Sequence, residues 1–205
     1  SDVCSSDLQH QHFGFSFLGK FRKLFPSPKQ SNWRFYIDEK QQQKTVIFEQ
    51  TMVDQLLYVV AGRLFSDGMP AQYAKPFIHK KTDHYIDTII HVDQQYQFES
   101  SIELSSNFEL PTQWQELFSS WDNAVVFLSD QDHAWVEFVD QPMRISQADI
   151  RMPFNYKQIQ AAQVLSFHCP LLEEWGISFD QIFCFVVPDL EFYVINETEL
   201  KIKKS

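Results

Sequence analysis

Asp83-His84-Tyr85-Ile86-Asp87-Thr88-Ile89-Ile90-His91-Val92-Asp93 is the stretch on which the fold class turns. In an extended chain successive side chains point to opposite faces. Ile86, Thr88, Ile90 and Val92 therefore share one face, and Asp87, His91 and Asp93 the other. A second extended run covers Tyr96 to Leu104, after the polar connection Asp93-Gln94-Gln95, so the two runs read as a hairpin. An earlier hairpin is expected from Trp33–Asp38 and Thr45–Glu49, joined through 39–44.

Helical signals follow each hairpin. Thr51 reads as an N-cap with Asp54 three residues on, and Val53, Leu56, Leu57, Val60 and Leu64 trace one helix face. Behind the second hairpin, Trp114, Leu117, Phe118 and Trp121 recur at helical spacing after Pro111. Further on, Ala124–Leu128 and Ala134–Val139 read as a third hairpin, and Arg144–Met152 as a strand. Asn155 reads as the cap of a helix running to about His168. Pro170 opens a short helix that Gly176 ends, and Ile182–Val187 with Leu190–Ile195 reads as a closing hairpin. The expected fold is α+β, a mainly antiparallel sheet built from hairpins with helices packed on one face.

The N-terminal region reads differently. Ser1-Asp2-Val3-Cys4-Ser5-Ser6-Asp7-Leu8 matches the translation of a short-read sequencing adapter and is expected to be non-native. Residues 9–32 form an arm. In it Phe17, Leu18, Phe21, Leu24 and Phe25 line one face of a basic amphipathic helix, and Pro26 and Pro28 stiffen the link to a single domain over 33–203. Such a helix, over 17–25, can rest on a partner or, less readily, on a membrane.

Composition bounds the rest. Hydrophobic residues make up 44% of the 205, with 20 Phe and 5 Trp, which is enough to build a packed core. The formal net charge of -10 disfavours nucleic acid and anionic lipid, and suits a basic protein partner. Setting Cys4 aside, Cys169 and Cys184 fit neither a disulfide framework nor a zinc spacing, which suits reduced thiols in the cytoplasm. No apolar stretch is long enough to span a bilayer as a helix. The glycine-rich nucleotide loops, the G-x-S-x-G elbow and H-E-x-x-H are all missing.

Three constellations remain. Asp87 and His91 share a strand face, where the imidazole can serve as a general base or as a ligand. A metal would need further ligands, such as His79, His84 or His133, brought in by the fold. In Phe167-His168-Cys169-Pro170 a thiol sits beside a histidine at a helix start, the minimum for a nucleophilic cysteine. Trp114, Trp121 and Trp135 are candidate binding anchors. Taken together these features lead to an expectation of a non-catalytic adaptor or inhibitor-like domain that binds another protein through an acidic, aromatic-rich surface. No cofactor and no metal are expected. The second reading is a small-molecule-binding protein or hydrolase that uses Asp87 and His91.

Overall fold

In a computed structural model of the chain, the described residues are 3–10, 28–38, 44–65, 71–94, 97–138, 144–188 and 193–201. The expected 17–25 helix lies outside them. The chain forms two compact units. The first is built from 1–73, 131–152 and 190–205, the second from 74–130 and 153–189.

The first unit is a seven-stranded sheet. Its strands are β1 (Val3–His10), β2 (Lys29–Asp38), β3 (Lys44–Val53), β4 (Ala71–Tyr73), β8 (His133–Glu137), β9 (Arg144–Arg151) and β12 (Tyr193–Lys201). The order is β1-β2-β3-β8-β9-β12, with β4 also on β3. The first expected hairpin is present, since β2 and β3 run antiparallel with Phe35 opposite Ile47. The sheet is nevertheless mixed, because β3 pairs in parallel with both β4 and β8. Among the described residues four of its six pairings are antiparallel, so the sheet is mainly but not wholly so, as against the all-hairpin build expected. A parallel neighbour needs a crossover, and here residues far apart in sequence supply it.

Two local expectations fail in this unit. Thr51 does not cap a helix. Strand β3 continues through it to Val53, and its hydroxyl donates to Asn32 Oδ1 of β2 at 3.1 Å. Helix α1 (Leu56–Phe65) starts later, and the shift changes which residues face inward. Val59 is buried with Val53 and Ala71, whereas Leu56, Leu57 and Val60 of the expected apolar face are exposed. Strand β2 is buried almost throughout, and its buried residues include Gln30, Ser31, Asn32 and Arg34.

The second unit is a five-stranded, wholly antiparallel sheet in the order β11-β10-β7-β6-β5. Its strands are β5 (Phe77–Lys81), β6 (Tyr85–His91), β7 (Gln97–Ser105), β10 (Gln160–His168) and β11 (Cys184–Val186). The β6–β7 pair is the hairpin expected from the 83–104 stretch.

Helices α2 (Thr112–Gln115), α3 (Trp121–Ser129) and α4 (Pro170–Glu174) complete this unit. The helix expected through Trp114–Trp121 is broken. Ser120 is extended and caps α3 by accepting the Asn123 N–H, so Trp121 opens a new helix instead of closing an old one. Ala124–Leu128, expected as a strand, lies inside α3. An apolar run of that length fits either period. The cap and the burial of Trp121, Ala124, Val125 and Leu128 at i, i+3, i+4 and i+7 decide for helix.

Asn155 does cap a turn, by accepting the Lys157 N–H, but that turn is only Tyr156–Gln158. Residues 160–168 are strand β10 rather than helix. Among the described residues the expected closing hairpin is not formed: β11 pairs with β10 in one unit and β12 with β9 in the other. α4 matches its expectation, with Pro170 at its start and Gly176 at φ +75° just past its end, where only glycine is free of strain.

Candidate active site

The sequence places the functional question on the β6–β7 hairpin, and the observed register shows what the hairpin assembles. Ile86, Thr88 and Ile90 turn into the core. Tyr85, Asp87, Ile89 and His91 occupy the other face, opposite Glu103, Ser101, Glu99 and Gln97 of β7. Strand β10 adds His168 opposite Glu99. The outward face of three adjacent strands is therefore a field of carboxylates, imidazoles, an amide and hydroxyls.

Within that field His91 has a defined partner. Its Nε2 donates to Glu99 Oε1 at 3.0 Å, and Gln97 Nε2 donates to the same oxygen at 2.9 Å. These two hydrogen bonds, His91 first, hold the Glu99 carboxyl below its ordinary range. The nearby His91 and His168 add attraction, and partial desolvation opposes it. With the proton on Nε2, a neutral His91 keeps Nδ1 as a lone pair, and among the described residues no interaction engages that atom. A carboxylate that fixes one ring nitrogen and leaves the other free to accept a proton is the arrangement a general base requires.

Asp87 belongs to a separate pair. It accepts the Ser101 hydroxyl at 2.7 Å. It lies four residues from His91 along the strand, about 13 Å at the usual rise, so the two cannot act on one bond. Asp93, expected on the same face, falls beyond the end of β6. At the far end Glu103, opposite Tyr85, raises the phenol above its ordinary value.

The remaining candidates are placed as follows. His168 Nδ1 donates to Glu173 Oε1 at 2.8 Å, and the Cys169 N–H donates to the same oxygen at 3.3 Å. The histidine is thus committed to the helix carboxylate and not to the thiol. Cys169 is fully buried, and desolvation pushes its thiol up to about 11, against the lowering effect of the Leu172 and Leu171 N–H groups. Such a thiol is protonated at neutral pH and is not the activated nucleophile of a cysteine enzyme.

Trp121 is buried with Val125, Ile159 and Ala161. Trp114 stacks near Phe118, and its Nε1 donates to the Gln181 carbonyl at 2.7 Å. Trp135 belongs to the first unit, where its Nε1 donates to Gln147 Oε1 at 3.1 Å. All three have intramolecular roles. His79 bonds to Thr88, on the inward side of β6, and His133 bonds to Asp149 in the first unit. Among the described residues no three His, Cys, Asp or Glu side chains converge to hold a metal ion.

Glu99 and Gln97 were missed by the sequence reading. Aligning the hairpin across its turn would have set His91 opposite Gln97 and within one residue pair of Glu99. The signal lay in the register and not in any motif.

No protein-family model matches the chain, and no curated protein matches it significantly. Solved structures do align with it. An acetoacetate decarboxylase from Legionella pneumophila is 12% identical, with a TM-score of 0.44, over 86% of this chain and 66% of the other. An acetoacetate decarboxylase-like enzyme from Sphingomonas wittichii is 8% identical, with a TM-score of 0.47, over 91% and 73%. The enduracididine biosynthesis enzyme MppR, complexed with pyruvate, is 12% identical, with a TM-score of 0.41, over 80% and 60%. These three structures are described as enzymes, one of them complexed with pyruvate. This corrects the expectation of a non-catalytic adaptor that binds a basic protein. At this level of similarity they lend the chain neither a reaction nor site residues. Those have to come from its own geometry.

Proposed function

We propose that this protein is a small-molecule-binding protein or hydrolase that works on the polar face of the five-stranded sheet. His91 is its proton-accepting group and Asp87 a second anchor for the ligand. The observation that carries the reading is the His91–Glu99 hydrogen bond of 3.0 Å, with His91 Nδ1 left unengaged among the described residues. Glu99 and Gln97 act as positioning residues. They fix the imidazole so that Nδ1 can take a proton from a bound water or from a ligand hydroxyl. Asp87 and Ser101, about 13 Å along the strand, offer an acceptor and a hydroxyl to a polar group at the far end of the same molecule.

Two measurements test this proposal. Native mass spectrometry of the full chain, purified gently, looks for a bound small molecule. Hydrolysis of p-nitrophenyl acetate is then compared for the protein as it stands and for His91→Ala and Glu99→Gln. His91→Ala is expected to remove turnover above background while the fold is retained. Glu99→Gln should lower kcat and shift the pH profile, as expected for a group that acts through the imidazole. Unchanged turnover in folded His91→Ala protein would remove His91 from the site. A cytoplasmic location belongs to the same proposal, supported by Cys169 and Cys184, both free. Among the described residues no helix is long and apolar enough to cross a membrane.

A further inference from the structure

Strand β12 ends the seven-stranded sheet. It pairs with β9 on one side, and among the described residues no strand lies on its other side. Residues Ile195 to Glu199 of the strand are exposed. A free edge presents a row of backbone N–H and C=O groups, and native edges are usually kept short or broken by a charge, a proline or a bulge. This edge is nine residues long, and its one bulge, at Ile195, comes near its start. From Asn196 to Lys201 the pairing with β9 is in unbroken register.

The charges on this strand are ordered so that they complement a second copy of it. Glu197, Glu199 and Lys201 fall on one face by period two, and the sequence continues the alternation to Lys203, outside the described residues. When two copies run antiparallel about a twofold axis at Leu200, Glu199 of each stands opposite Lys201 of the other. The same register carries Glu197 to Lys203. An axis at Glu197, Thr198 or Glu199 would set glutamate against glutamate, and an axis at Lys201 would set lysine against lysine. Opposite charges across an antiparallel pair are stabilising and like charges destabilising, so charge selects the Leu200 axis.

The β9 side adds a second reason. Within one chain Lys201 stands opposite Arg144, two like charges in one pair, and Arg144 already holds Glu199 through its Nε at 2.8 Å. Glu199 of a second copy brings a further carboxylate to that pair. Glu197 is likewise fixed, by the Ser146 hydroxyl at 2.6 Å. Both glutamates are therefore already ordered, and a carboxylate has lone pairs left for another donor.

We propose that the free edge of β12 is the interface of a homodimer, in which two seven-stranded sheets join edge to edge about Leu200. The contact is isologous, so it closes at two copies. One strand pair is small against the roughly 1,000 Å² of a stable interface, so the dimer is a weak one that forms as concentration rises. The interface belongs to the first unit and the His91 face to the second, so either reading can fail without the other.

The test is sedimentation velocity of the full chain between about 1 µM and about 1 mM. A reversible dimer is expected, weakened by added salt. Two variants read the charge pattern: Lys201→Glu with Lys203→Glu, and Glu197→Lys with Glu199→Lys. Each should weaken self-association at least about 10-fold, and the two mixed in equal amounts should form a heterodimer. Leu200→Cys on a Cys4→Ser background reads the register without disturbing any charge. Its cysteines would face each other across the axis and should form a disulfide-linked dimer on oxidation, whereas Thr198→Cys, about 13 Å from its own counterpart, should not. A monomer throughout the concentration range would overturn the proposal. So would an unchanged dimer in the Lys201→Glu, Lys203→Glu variant, or Leu200→Cys linking no faster than Thr198→Cys.

Discussion

The thiols give the sharpest check on the reading of the second unit. Cys169 opens helix α4 next to His168, so its sequence context suggests activation, while its burial predicts inertness. Moving a thiol from its ordinary 9.0 to about 11 lowers the thiolate fraction at pH 8 from roughly 9% to roughly 0.1%, about 100-fold. Desolvation is the main cause, so lack of access compounds lack of ionisation. Cys184 is pushed up to about 12 by the same cause. The assay is reaction with Ellman's reagent at pH 8, on a Cys4→Ser variant so that only Cys169 and Cys184 report. Both should react at least about 100-fold more slowly than free cysteine. In guanidinium chloride both should react at the ordinary rate. One equivalent reacting at the free-cysteine rate in the native protein, mapped to Cys169 by peptide mass, would refute the burial argument and return His168-Cys169 to the list of candidate nucleophiles.

Four further outcomes are expected. The lowered Glu99 carboxyl contributes stability that is present above its ordinary 4.5 and is lost as pH falls through the lower folded value; acid titrations of Glu99→Gln and His91→Ala should both flatten that limb, and two curves that keep it would show that the pair is not formed in solution. Ser120→Ala should cost about 1 kcal/mol in denaturant unfolding and Ser120→Gly only a few tenths, because the Ser120 oxygen caps α3; Trp121→Ala, which empties the centre of the aromatic cluster, should cost about 3–5 kcal/mol. Residues 1–8 supply most of strand β1, yet we propose that they derive from an adapter, so their deletion should cost less than about 1 kcal/mol, or about 2–4 °C in Tm, and a larger drop would count β1 as native.

The parts of the fold legible in the sequence are those governed by local chemistry. The β6–β7 hairpin follows from strict alternation with a polar connection, and α4 from a proline at its start and a glycine past its end. The class, α+β, also follows from periodicity. The segments misread are the ones whose periodicity was ambiguous. Ala124–Leu128 suits a strand as well as a helix until the Ser120 cap is in place. Residues 160–168, expected as helix behind the Asn155 cap, are held as a strand by β7, and 160–162 also by β11. Thr51 has the chemistry of a cap, yet it lies within strand β3 because Asn32 accepts its hydroxyl hydrogen.

The site divides in the same way. His91 and Asp87 stand out in the sequence as polar residues on one strand face. Only the tertiary structure gives His91 its carboxylate, sets Asp87 on a different partner and buries the Cys169 thiol. The physical reason is that backbone period and capping are properties of neighbours in the chain. A hydrogen-bond partner or a desolvated group depends on residues that strand pairing brings together from far apart, and that pairing is settled by the packing of the whole sheet.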